Sequence, residues 1–116
     1  MKDYTGKITF DGKDYPLIFN LNVMEQIQDE YGTVEKWGKL TDGKNGEVNA
    51  KALTFGLTAM YNEAVDIANE EQGANLPFIT RKQMGRLVSR AGLEASAKAL
   101  NETIVEATKG DSSKNA

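Results

Sequence analysis

The chain has 116 residues, 40% of them hydrophobic, with no Cys, no His and a net charge of −3. That length predicts one domain with a modest core. The missing residue types exclude disulfides, thiolate catalysis, Cys-based zinc sites and His-dependent acid–base or triad chemistry.

Any catalysis would have to rest on carboxylates, Lys, Tyr or Ser, and no constellation of these stands out. The expectation is therefore a protein that is not an enzyme and uses no metal or other cofactor. The charge is unevenly spread. Residues 1–79 hold seven Lys/Arg against 13 Asp/Glu, and residues 80–116 hold seven against four. Such polarity favours ordered packing or self-association and is unlike a uniformly basic nucleic-acid binder. No apolar run is long enough to span a bilayer. The opening MKDYTGKITF lacks the apolar stretch of a signal peptide, so the expected setting is the cytoplasm, with no membrane partner.

Asp11-Gly12 is a hairpin signal, since both residues tolerate the positive φ of a tight turn. Ile8 and Phe10 before it, and Tyr15, Leu17 and Phe19 after it, alternate onto one face. Pro16 cannot donate to a ladder and marks an edge strand. Such a hairpin is marginal alone, so it must lie on helices or join another copy's sheet. Asn20 or Asn22 offers an N-cap for a helix through Val23, Met24, Ile27 and Tyr31, ended by Gly32. Thr33 caps a short helix carrying Val34, Trp37 and Leu40. Trp37, the single Trp, reads either as a core aromatic or as a partner-facing anchor.

Residues 41–48, TDGKNGEV, form a loop. They lack the alternating oxygen ligands and distal Glu of a calcium loop. Asn49 caps the longest helix, 50–71, with Leu53, Leu57, Met60, Tyr61, Ala64 and Ala68 as its apolar stripe. Gly56 within it points to close packing. Glu63, Asp66 and Glu70 share another face and read as solvated rather than as a metal site, for want of stronger ligands. Gly73 and Pro77 break the chain at 72–79, where Leu76, Phe78 and Ile79 read as plugs in the core or as a contact for another molecule. Thr80 and Gln83 make a capping box. The helix they open turns Met84, Leu87, Val88 and Ala91 inward and carries Lys82, Arg86 and Arg90 as a basic stripe. After Gly92 a last helix, 93–108, buries Leu93, Ala97, Leu100, Ile104 and Ala107. Residues 1–110 thus form one domain, and 111–116 a polar tail expected to be disordered. A helix-turn-helix reading of the last two helices is disfavoured, because the second bears Glu94, Glu102 and Glu106 against Lys98. The expected fold is α+β and mostly helical: an N-terminal β-hairpin followed by about five α-helices.

The order of these features resembles the tail assembly chaperones of long-tailed bacteriophages. The residues that carry the resemblance are Gly12, Lys13, Tyr15, Pro16, Leu17, Phe19, Asn22, Glu30 and Gly32. They are followed by the long helix Ala52 to Ala68 and the Thr80-initiated helix, so that the likeness covers about residues 5–108. The resemblance implies a small, mostly helical, non-enzymatic protein of the bacterial host cytoplasm. Its partners would be the tape measure protein, which it coats and keeps soluble, and the tail tube protein, which it helps recruit. It would leave before the virion is complete, and it carries no catalytic residue to transfer. The surface implied for such contacts is Trp37, Phe78 and Ile79, with exposed parts of Met24 and Met60. The stripe Lys82, Arg86 and Arg90 reads as a solvated face or as a contact for the acidic N-terminal region of a neighbour in a homo-oligomer. The alternatives are a structural tail or head–tail connector subunit that stays in the virion and, less favoured, a helix-turn-helix regulator.

Overall fold

A computed structural model describes residues 5–44 and 46–114. Two antiparallel strands, β1 (Thr5–Phe10) and β2 (Lys13–Ile18), form a two-stranded sheet. Asp11 and Gly12 turn between them with φ of 52° and 76°. Two positive φ values in a two-residue loop match the right-handed twist of the strands. The register pairs Ile8 with Tyr15 and Gly6 with Leu17, and opposite residues share a face. That face is therefore apolar, and Ile8 and Leu17 are buried on it. The other face is polar near the turn, where Lys7 Nζ and Thr9 Oγ1 both donate to the Asp14 carboxylate, at 3.2 and 2.7 Å. In a sheet of two strands both are edges, which accommodates Pro16.

Five helices follow among the described residues: α1 (Leu21–Tyr31), α2 (Val34–Thr41), α3 (Ala50–Gln72), α4 (Arg81–Ala91) and α5 (Leu93–Lys114). The expected α+β architecture is thus the observed one. The caps fall where side-chain chemistry put them. Asn20, Thr33, Asn49 and Thr80 each accept a backbone N–H of the first turn, and Thr80 with Gln83 closes a reciprocal capping box. The helix α5 runs beyond the expected end at Thr108 to Lys114. Of the tail expected at 111–116, residues 115 and 116 lie outside the described residues.

The hairpin lies on helices rather than standing free. Its inner face covers α3 and α5, and Gly6 sits so close to α5 that a Cβ there would meet Thr103 Oγ1. The core between these layers holds Leu17, Phe19, Val23, Ile27, Leu53, Leu57, Met60, Met84 and Leu100. Trp37 is at its centre. Its indole N–H donates to the Ala52 carbonyl at 2.9 Å, and its ring lies over Gly56, where a Cβ would overlap Trp37 Cζ2. The glycine in α3 is thus the seat of the indole. Truncating a buried Trp of this kind costs roughly 3–5 kcal/mol. Asn101 ties α5 to the end of α2 through the Thr41 carbonyl.

Two apolar positions depart from the expected stripes. Leu93 is 39% exposed, because it is the first residue of α5 and precedes the turns that face the core. Leu40 is likewise exposed near the end of α2.

Candidate functional site

The segment between α3 and α4 is where the structure differs most from a plug in the core. Gly73 ends α3 in the left-handed conformation (φ 67°), its N–H bonded to the Ala68 carbonyl. The chain then doubles back along α3. Asn69 exchanges two hydrogen bonds with the backbone of Leu76, at 3.1 and 2.9 Å. Asn62 exchanges two with Ile79, at 2.9 and 2.8 Å. A carboxamide offers one donor edge and one acceptor, as a strand neighbour would. The spacing explains why two such clamps fit. Seven residues along a helix rise about 10.5 Å, and three residues of extended chain span about 10 Å. Residues 76–79 therefore run antiparallel to α3 as a strap, pinned at both ends. Pro77, between the clamps, has no N–H that needs a partner.

The strap fixes which side chains face outward. Ile79 packs, half-buried, against the core. Leu76 and Phe78 are 49% and 57% exposed, which corrects the core reading of both. An extended segment alternates its side chains, so Ile79 turns inward while Phe78 turns out.

Phe78 forms a ridge between two hollows. On one side is a groove of about 380 Å³ between the hairpin and α4. Its aromatic wall includes Tyr15 and Tyr61, whose rings lie 5.8 Å apart and tilted by 53°. Its cations are Arg86 and Arg90 from α4, one turn apart, and Lys13 from β2. The Lys13 ammonium sits 4.9 Å from the centre of the Tyr15 ring, a cation–π geometry. No Asp or Glu lines this groove among the described residues. On the other side of Phe78 a hollow of about 360 Å³ includes Glu63, Asp66 and Arg81. Glu63 is not free there: it accepts hydrogen bonds from the Asn20 and Asn22 amides at 2.8 and 3.0 Å, fastening the start of α1 to α3.

The structure thus brings together four of the six residues that the sequence singles out for partner contact. Phe78, Ile79, Arg86 and Arg90 line one groove. Lys82 is exposed on the same helix but outside that lining. Trp37 is 0% exposed, and this corrects its reading as an anchor: an indole that hydrogen-bonds inside the core presents no surface to a partner. Met60 is equally buried and Met24 is half-buried. Sequence reasoning did not place Lys13, Tyr15 and Tyr61 at this surface, and it missed the two clamps. Their signal was two Asn seven apart on one helix, followed by a Gly-and-Pro-containing return.

Two titrating groups are displaced from their ordinary values. Hydrogen bonds from Thr9 and Lys7 hold the Asp14 carboxyl below the usual carboxylate value. Burial pushes the Tyr31 hydroxyl up, with Arg81 nearby pulling the other way. Neither belongs to the groove. Comparisons with protein-family models, with curated proteins and with solved structures find no match. The groove combines an apolar ridge, aromatic walls and cations, with no carboxylate lining it among the described residues.

Proposed function

We propose that the protein acts without catalysis, as a tail assembly chaperone of a long-tailed phage or prophage, through protein–protein contacts. In this reading it binds the tape measure protein in the host cytoplasm, keeps it soluble and helps recruit tail tube subunits. It leaves before the particle is finished.

The observation that supports the reading is the strap. Asn62 and Asn69 each donate one hydrogen bond to the backbone of the strap and accept one from it, and these four bonds hold Leu76 and Phe78 toward solvent. Apolar side chains held in place while exposed offer a surface that a partner can cover without first ordering it. A chaperone of a long helical protein needs such a surface, repeated once per copy.

The test is co-expression with the products of the neighbouring reading frames, followed by affinity capture and light scattering. Capture of a very long helical protein in soluble form, with many copies of this chain bound, is the expected result. A chain that captures nothing overturns the reading. So does a chain that remains in purified particles, since it would then be a structural subunit.

A further inference from the structure

We infer that the groove beside Phe78 takes an acidic amphipathic helix of a partner protein. Carboxylates one turn apart on that helix would meet Arg86 and Arg90, and an apolar side chain would lie against Phe78 and Tyr15. This deepens the proposed function by assigning its contact surface and the chemistry of the segment bound.

Charge carries the argument. The protein is net negative, yet this groove gathers Lys13, Arg86 and Arg90 and no carboxylate among the described residues. Among the described residues, no acidic side chain lies within ion-pair distance of either arginine. Three like charges around one concavity repel one another and are relieved by an anionic occupant. Arg86 and Arg90 stand at i and i+4 on α4, so their guanidinium groups repeat at about one helical turn. Carboxylates on a helix laid along α4 repeat at the same interval, and guanidinium–carboxylate pairing is bidentate.

The apolar half of the site sets the class of partner. Phe78 stands out from the strap, the Tyr15 and Tyr61 rings already pack on each other, and Lys13 lies over the Tyr15 ring. These rings offer an edge for aliphatic or aromatic side chains. A nucleic-acid strand fits less well. Its phosphates continue past the groove, and beyond Phe78 they would meet Glu63 and Asp66.

The test uses the full chain and a labelled helical peptide with Glu at i and i+4 beside Leu and Phe, read by fluorescence anisotropy. A second peptide replaces each Glu by Lys. The protein is expected to bind the Glu peptide and not the Lys peptide, with affinity falling as salt shortens the Debye length. Arg86→Ala with Arg90→Ala is expected to weaken binding at least tenfold, and Phe78→Ser similarly. The charge reversal R86E/R90E is expected to invert the preference between peptides. These side chains are exposed, so an unchanged urea midpoint separates lost binding from lost fold.

Equal binding of both peptides, or no effect of the variants, overturns the inference. Tighter binding of a single-stranded oligothymidylate does so as well, because the occupant would then be nucleic acid. Concentration-dependent association abolished by R86E/R90E alone would assign the groove to a second copy instead. The two proposals fail separately. Variants that lose the Glu peptide but still capture the tape measure protein would sink only the groove assignment. A groove that binds the peptide as described, in a chain that captures no tape measure protein, would sink only the chaperone reading.

Discussion

Replacing Gly56 by Ala should destabilise this protein, although Ala is the better helix former. Gly56 lies inside α3, where the exchange alone would favour Ala by about 1 kcal/mol. The added Cβ, however, would overlap Trp37 Cζ2 and lie 3.1 Å from Leu100 Cδ1. Neither neighbour can yield cheaply. Trp37 is fully buried, and its N–H is committed to Ala52. Overpacking a core costs about 1–3 kcal/mol, and an indole displaced from Ala52 would leave a buried donor unmet for about 1–3 kcal/mol more. The net expectation is a loss of about 1–5 kcal/mol, the upper end applying if the indole leaves Ala52, and Tm falls by roughly 4 °C for each kcal/mol in a domain of this size.

Gly85 supplies the control. It lies inside α4, and a Cβ there would meet nothing within 4 Å. Gly85→Ala should therefore raise stability by up to about 1 kcal/mol. Two identical exchanges in two helices are expected to have opposite signs in urea and thermal unfolding. The cause can be checked with Trp37→Phe, because a phenyl ring has no counterpart of the benzo edge that Gly56 seats. In that background the cost of Gly56→Ala should shrink, as the coupling in a double-mutant cycle. A Gly56→Ala protein as stable as the parent, with unchanged Trp37 fluorescence, would refute the claim that indole contact dictates this glycine.

Asn62→Ala removes two part-buried hydrogen bonds and should cost about 1–3 kcal/mol. Asn69→Ala removes two exposed ones and should cost less, and either should speed limited proteolysis between Gly73 and Thr80. The Tyr31 hydroxyl is buried and finds no hydrogen-bond partner among the described residues, so Tyr31→Phe should be neutral or stabilising near neutral pH. Because burial raises the Tyr31 pKa above its unfolded value of 10.0, the parent should lose stability as pH rises past that value, and Tyr31→Phe should remove this part of the alkaline loss in urea midpoints. Asp14 runs the other way. Its folded pKa is depressed below 3.8, so its contribution is present above that value and is lost as pH falls through the folded pKa. Asp14→Asn should make the acid limb shallower.

The helix starts were legible because capping is local chemistry, whereas the end of α5, at Lys114 rather than Thr108, was not. Thr80 and Gln83 state their box within four residues, and Asp11-Gly12 states its turn within two. The apolar stripes were legible for the same reason, down to Leu53, Leu57 and Met60. The exposure of Phe78 was not, because it depends on partners outside its own segment. Composition alone sets Leu76, Phe78 and Ile79 in one class. Only the pairing of a 10 Å stretch of extended chain with two asparagines two helical turns apart separates Ile79 from its neighbours. Trp37 misled in the opposite sense. A lone Trp suits a hot spot as well as a core, and the deciding feature is Gly56, nineteen positions away.

The same reasoning explains why the candidate site sits where it does. A basic stripe on an exposed helix is ordinarily a solvated face, and its ion pairs contribute little. On α4 the stripe gains meaning from what the fold places beside it. The hairpin supplies Lys13 and Tyr15 from one end of the chain. The strap supplies Phe78, held out by two amides that belong to α3. No single segment contains the groove, so none of its parts is informative alone. Relaxing the strap should therefore weaken partner binding even though neither Asn62 nor Asn69 lines the groove. A freed Phe78 would sample many positions, and ordering it on binding would cost conformational entropy that the clamped protein has already lost on folding.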